Sequence, residues 1–182
     1  MKILDAVKTF FGLAFCVILR LISMPLPNFE PIMGTMLPFA QKLGRYAGFA
    51  FGFMALVSID FITGRLGMWT VYCGIAYGGL GYAASIYLSR FKGFKLKNYL
   101  LFGVAGTMAY DFVTALLFGF QFGQTLEVTL FGQIPFTVYH LAGNLLFVTL
   151  LSPAVYYGIV ENKSLEALST SEYLKRLRFL FR

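Results

Sequence analysis

The chain has 182 residues, of which 58% are apolar, 18% aromatic and only 13% charged, with a mean hydropathy of +0.73. A soluble domain carries about a quarter charged residues, so this much apolar surface cannot be hidden in one core and must face lipid. The net charge of +7 gathers in segments expected on one side of a membrane, and nucleic acid is not an expected partner.

Residues 1–24 have a basic start and an apolar run, as a secretory signal does. Arg20 interrupts that run, and no small-x-small cleavage site follows it. Phe15 stands where a lipoprotein box needs a small residue before Cys16. The stretch is therefore read as an uncleaved first span over about 6–24, ended by Pro25 and Pro27. A short second span over about 29–41 carries Pro31 and Pro38 and is expected to be kinked or incomplete. Further spans are expected over about 44–63, 67–90, 98–120 and 134–160, and the remaining 161–182 form a basic tail. In that tail Leu174, Leu177 and Phe181 share one face among Lys175, Arg176 and Arg178. It is either an interfacial helix on the inner leaflet or a segment that merely sets topology. The expected fold is one all-α membrane domain of six transmembrane helices with both termini cytoplasmic.

Charge gives an independent check on the number of crossings. With six spans and an inside N-terminus, all but Arg20 and Arg65 of the fifteen Lys and Arg fall on the cytoplasmic side. If the second segment were re-entrant, the basic loops at 42–45 and 90–97 would lie outside, against the positive-inside bias.

The polar residues within the spans concentrate on the opposite side. Glu30, Asp60, Asp111 and Glu127 fall in the outer half or the outer loops, joined by Arg20, Arg65, His140 and Asn144. A charge at the bilayer centre costs roughly 2.5–3.5 kcal/mol on insertion scales, so such groups face protein or water. Thr107, Asp111, Thr114 and Gln121 follow a helical rhythm on span five, as Thr137, His140 and Asn144 do on span six. Two readings stand for each stripe: interhelical glue, or one wall of a ligand site. Concentration on one side favours the site for the set as a whole. The substrate-binding candidates are Glu30, Asp60, Arg65, Trp69, Tyr72, Tyr110, Asp111, His140 and Asn144, with Trp69, Tyr72 and Tyr110 able to stack on a ring. Trp69, at the outer start of span four, is equally well placed to anchor the interface.

Gly44, Gly48 and Gly52 on span three, and Gly74 and Gly78 on span four, have the spacing of close helix packing. On span one the weaker pair Gly12 and Cys16 is expected to meet an external partner. Gly52, Asp60, Phe61 and Thr63 recur as Gly103, Asp111, Phe112 and Thr114 at a constant offset, a faint echo of the repeats that build transporters. Catalytic and metal constellations are missing. His140 is the only histidine and has no cysteine or second histidine to share a metal, and no phosphate-binding Gly-rich loop occurs. The chain is expected to be no enzyme and to carry no cofactor.

Three stretches carry a family likeness. They are Pro27-Asn28-Phe29-Glu30-Pro31-Ile32, then Asp60-Phe61-Ile62-Thr63-Gly64-Arg65-Leu66-Gly67-Met68-Trp69-Thr70 continuing into Ala76-Tyr77-Gly78-Gly79-Leu80-Gly81, and Ile134-Pro135-Phe136-Thr137 with His140, Gly143, Asn144 and Leu145. In these the chain resembles the substrate-capture (S) components of energy-coupling factor transporters, specifically their uncharacterised members. The resemblance implies a six-helix protein that binds a vitamin or related micronutrient at its outer face. It also implies a membrane coupling subunit and two cytoplasmic ATPases as partners, with toppling in the bilayer releasing the solute inward. Where that family often presents Ala-x-x-x-Ala to the coupling subunit, this sequence offers Gly12 and Cys16. The expected setting is the cell membrane of a prokaryote, multi-pass. The alternatives are an autonomous carrier coupled to protons through Asp60, Asp111 and His140, or a membrane scaffold without ligand.

Overall fold

Hydrocarbon offers a backbone no hydrogen-bond partners, so an apolar run placed in it folds as a helix that satisfies its own N–H and C=O groups. The computed structural model describes residues 3–25 and 28–162, and these are all-helical in outline. In order they form α1 (Ile3–Ser23), α2 (Ile32–Leu43), α3 (Arg45–Ile62), α4 (Met68–Leu88), α5 (Leu96–Gln121) and α6 (Leu126–Val155), which runs on as one π turn over Tyr156–Val160. The expected tail helix around Leu174, Leu177 and Phe181 lies outside the described residues.

Four of these stretches, α1, α3, α5 and α6 with its π turn, are long and apolar enough to cross a bilayer. Their outward faces carry large apolar side chains throughout, such as Phe10, Phe11 and Ile18 on α1, Phe120 on α5 and Phe131 on α6. The chain thus has the character of a multi-pass membrane protein. α4 has 21 residues, about 31 Å of helix.

α2 is different in kind. It has 12 residues, about 18 Å of helix, against a hydrocarbon core of about 30 Å. Every side chain from Ile32 to Ala40 is buried, as expected of a helix that is apolar on all sides and enclosed by protein. It packs against α1, α3, α4, α6 and the π turn. Pro31, which lacks an N–H, serves as its N-cap residue.

Two sequence expectations are corrected here. α6 begins at Leu126 rather than near 134, because Thr125 caps it by accepting from the Val128 N–H at 3.4 Å and Glu127 suits the positive end of the dipole. Glu127 therefore lies in the first turn of a helix, not in an outer loop. The second correction concerns α1. A Cβ at Gly12 would run into the ring of Phe39 on α2, and Cys16 is completely buried. Gly12 and Cys16 seat α1 on the central helix and cannot meet an external partner. The face that α1 presents outward carries phenylalanines and isoleucines together with Val7.

Helices α3 and α4 approach through their glycines. Gly48 and Gly81 face each other's backbone carbonyls, and Gly52 faces the carbonyl of Tyr77. Gly74 and Gly78 receive the rings of Phe53 and Phe49, whereas Gly44 sits in the α2–α3 joint with φ +93°.

The end holding the α2–α3 and α4–α5 joints is tied together. Gln41 donates to the carbonyls of Leu88, Phe91 and Gly93 and accepts from the Tyr99 hydroxyl. Lys8 donates to the Val160 carbonyl at 2.9 Å, and Lys42 pairs with Glu161.

An added methyl tests the glycine contact. Gly48→Ala is expected to cost about 1–3 kcal/mol by overpacking. Gly79→Ala, whose new Cβ meets nothing within 4 Å, is expected to be neutral or slightly stabilising. Thermal unfolding of both variants in one detergent checks the contrast.

Candidate functional site

At the opposite end, between the α1–α2 segment and helices α4, α5 and α6, lies a cavity of about 230 Å³. Glu30, Trp69, Tyr110, Asp111 and His140 line it, together with Asn28, Thr114, Ala115, Phe118, Gln133 and Phe136. The short non-helical segment before α2 reaches this position because Gly143 on α6 has no side chain. A Cβ there would stand 2.9 Å from the Asn28 carbonyl oxygen and 3.1 Å from Phe29 Cα. Asn28 then donates to the Phe136 carbonyl at 3.2 Å.

The polar groups behind the cavity form one continuous chain across five elements. Arg20 on α1 pairs with Glu30 at 3.2 Å. The other Glu30 oxygen accepts from the Tyr77 hydroxyl of α4 at 2.9 Å. That hydroxyl lies 3.0 Å from His140 Nε2 on α6, and His140 Nδ1 lies 2.7 Å from Asp111 Oδ1 on α5. Asp111 and His140 are each only 4% exposed. Buried polar groups are costly without partners, and this chain gives nearly every member one. Two atoms of the line are buried with no partner, Arg20 Nη1 and Asp111 Oδ2, and of these two residues Asp111 is the one that lines the cavity.

Aromatic rings form much of the wall. Trp69, in the first turn of α4, lies 4.3 Å from Phe118 between ring centroids, and Tyr77 lies 4.4 Å from Tyr110. Trp69 is half exposed, at 49%, as a rim residue would be.

The other sequence candidates sit elsewhere. Asp60 accepts from the Thr70 hydroxyl at 2.6 Å, and Thr70 accepts from the Gly67 N–H, so Asp60 fastens the start of α4. Arg65 is exposed in the α3–α4 turn. Asn144 is fully buried deeper in the bundle and donates to Thr107, which donates to the Gly103 carbonyl. Tyr72 does not line the cavity, but packs edge-on against Phe118, which does. Asp60 and Asp111, matched in the faint sequence echo, thus have different roles: one holds a helix end, the other faces the cavity.

Tyr77 is the central link that sequence periodicity did not single out. Its helix reads as apolar and small, and a tyrosine there looks like packing. Asn28 and Gln133 fall outside the expected spans, where no helical period gives a face to count along, and Phe136 counts as one more apolar residue of its span. A larger cleft of about 540 Å³ at the tied end is lined by Gln41, Lys42, Phe94, Tyr156 and Glu161. No buried polar atom without a partner occurs there among the described residues, which is why the smaller cavity is the better candidate. Among the described residues no three His, Cys, Asp or Glu side chains converge as metal ligands. Comparison of the chain with known protein families, curated proteins and solved structures finds no match.

Removing one hydroxyl tests the chain. Tyr77→Phe leaves Glu30 and His140 each short of a buried partner and is expected to cost about 1–3 kcal/mol. Arg65→Ala, at an exposed turn, is expected to stay within about 0.5 kcal/mol of the parent. Thermal unfolding read from Trp69 emission checks both.

Proposed function

We propose that this chain is the substrate-capture subunit of an energy-coupling factor type importer, taking a vitamin or related micronutrient from the outer side of a prokaryotic cell membrane. The observation that carries the reading is an aromatic-walled cavity at one end of the bundle, lined by Asp111, whose buried Oδ2 has no partner, with the other end tied by Gln41, Lys8 and Lys42. A cavity that is mostly apolar with a few convergent polar groups is the usual form of a small-molecule site. The three sequence stretches that resemble the S components contribute several of its residues: Asn28, Glu30, Trp69, Phe136 and His140.

In this reading the chain crosses the membrane six times, with both termini in the cytoplasm. The enclosed α2 and the segment before it make the second crossing together, since backbone outside a helix is tolerated at membrane depth where protein surrounds it. ATP hydrolysis belongs to two separate cytoplasmic subunits, reached through a membrane coupling subunit. Docking to that subunit does not use Gly12 and Cys16, which are occupied by α2.

A second reading, a proton-coupled carrier, is favoured by one feature: the linked Tyr77, His140 and Asp111, which resemble the proton relays of transporters.

Purification in mild detergent followed by mass spectrometry is expected to yield a coupling subunit and two ATPases with this chain. Uptake by vesicles containing the assembly is expected to need ATP and to ignore a proton uncoupler. Uptake by this chain alone that collapses with the uncoupler would establish the carrier instead. Reporters near Lys95 and after Arg182 are expected inside, and one near Glu127 outside. An external signal at 92–97 would overturn the six crossings.

A further inference from the structure

The proton count in the buried chain limits what the cavity can hold. Arg20 has only donors and faces one Glu30 oxygen, and the Tyr77 hydroxyl donates to the other, so Glu30 accepts on both. The single proton of the Tyr77 hydroxyl is then committed to Glu30, and Tyr77 can meet His140 Nε2 only as an acceptor. His140 Nε2 must therefore carry a hydrogen. One further proton lies between His140 Nδ1 and Asp111 Oδ1, whichever of the two atoms holds it. With the Arg20 and Glu30 charges cancelling, the whole chain is electrically neutral. In both positions of that proton, Asp111 Oδ2 is an acceptor with nothing to accept.

A second acceptor stands one turn further along α5. The Thr114 hydroxyl gives its proton to the Tyr110 carbonyl at 2.8 Å, which leaves that oxygen only as an acceptor, on a residue that lines the cavity. Two acceptors on one helix face, Asp111 and Thr114, suit a group with two N–H bonds. Trp69, Phe118 and Tyr110 supply aromatic surface for a flat partner. The volume of about 230 Å³ corresponds to about eight water volumes, room for one or two rings without long substituents. An ionic ligand would add a net charge to a largely buried site whose own charges already cancel, which is costly.

We infer that the cavity takes a neutral, planar nitrogen heterocycle whose amino group donates to Asp111 and Thr114. This rests on the capture reading of the same site and narrows it to one class of chemistry. A site built to hydrogen-bond a substrate N–H rejects the analogue lacking it far more strongly than an apolar pocket distinguishes shapes.

The test uses the full chain purified in mild detergent. Equilibrium dialysis compares adenine and cytosine, as neutral amino heterocycles, with purine, benzylamine and benzoate, and mass spectrometry identifies any solute that co-purifies. Adenine or cytosine is expected to bind saturably, with purine at least about tenfold weaker than adenine and the two ions without saturable binding. Asp111→Asn, which can turn an amide N–H toward the cavity, is expected to abolish the preference for adenine over purine. Trp69 emission, from the only tryptophan, verifies that the variant is folded. If it is not, the parent's adenine-to-purine ratio and its co-purified solute decide. Where a solute co-purifies, its chemistry decides over the panel, and a neutral amino heterocycle supports the inference. A solute that is ionic or lacks an N–H donor, or equal binding of purine and adenine, overturns the class while leaving solute capture intact. No solute in any preparation and no binding of any probe would remove the capture reading together with the class.

Discussion

A polar group in the interior of a membrane protein must find a partner, and the line from Arg20 through Glu30, Tyr77 and His140 to Asp111 is how this chain meets that demand. Each link joins a different element, so the line fixes α1, the segment before α2, α4, α6 and α5 at one depth. Apolar packing alone is weakly directional, and among lipids it gives helices little preference for one rotation over another. The hydrogen bonds supply that preference. The same line also forms the back of the cavity, so the feature that orients the helices is the feature that shapes the site.

The second organising element is the enclosed α2. A helix with no polar face needs neighbours on all sides, and those neighbours must come close. Gly12 opens α1 to the ring of Phe39, Gly34 opens α2 to the backbone at Phe147, and Gly48 with Gly81 lets α3 and α4 meet backbone to backbone. Ser152 donates to the Gly34 carbonyl at 2.8 Å, adding a polar tie where α6 crosses α2. Small residues here do what larger side chains do in a soluble core: they set the distance between helices.

Much of the helix layout was legible because composition and charge act locally. The apolar runs, the prolines at 25 and 31 and the clustered lysines mark helix ends to within a few residues, except at α6. There the start expected near 134 is in fact made earlier, by Thr125 and Glu127. The site was legible only in part, since side chains of one type serve different ends. Asp60 and Asp111 look alike in sequence, and only the Thr70 hydroxyl beside the first and His140 beside the second separate a helix fastening from a cavity group. Gly12 and Cys16 illustrate the same limit. A small-residue stripe reports that something comes close, while its neighbour is set by the rest of the fold. Tyr77 escaped notice because its ring counts as apolar in any periodicity, although its hydroxyl joins two halves of the polar line.

The cavity's lining divides into two sets with different evolutionary prospects. Glu30, Asp111 and His140 belong to the line that orients the helices, and a change at any of them disturbs folding along with recognition. Asn28, Gln133 and Phe136 stand at the opening, with Gln133 partly exposed and Phe136 largely so. Exchanging Gln133 or Phe136 changes the shape of the opening while leaving the line's inter-helix bonds in place, whereas Asn28 also ties its segment to α6. If the cavity serves the proposed capture role, a scaffold divided in this way can drift from one solute to another by a few substitutions, each tolerated as it arises, while its descendants keep the interior.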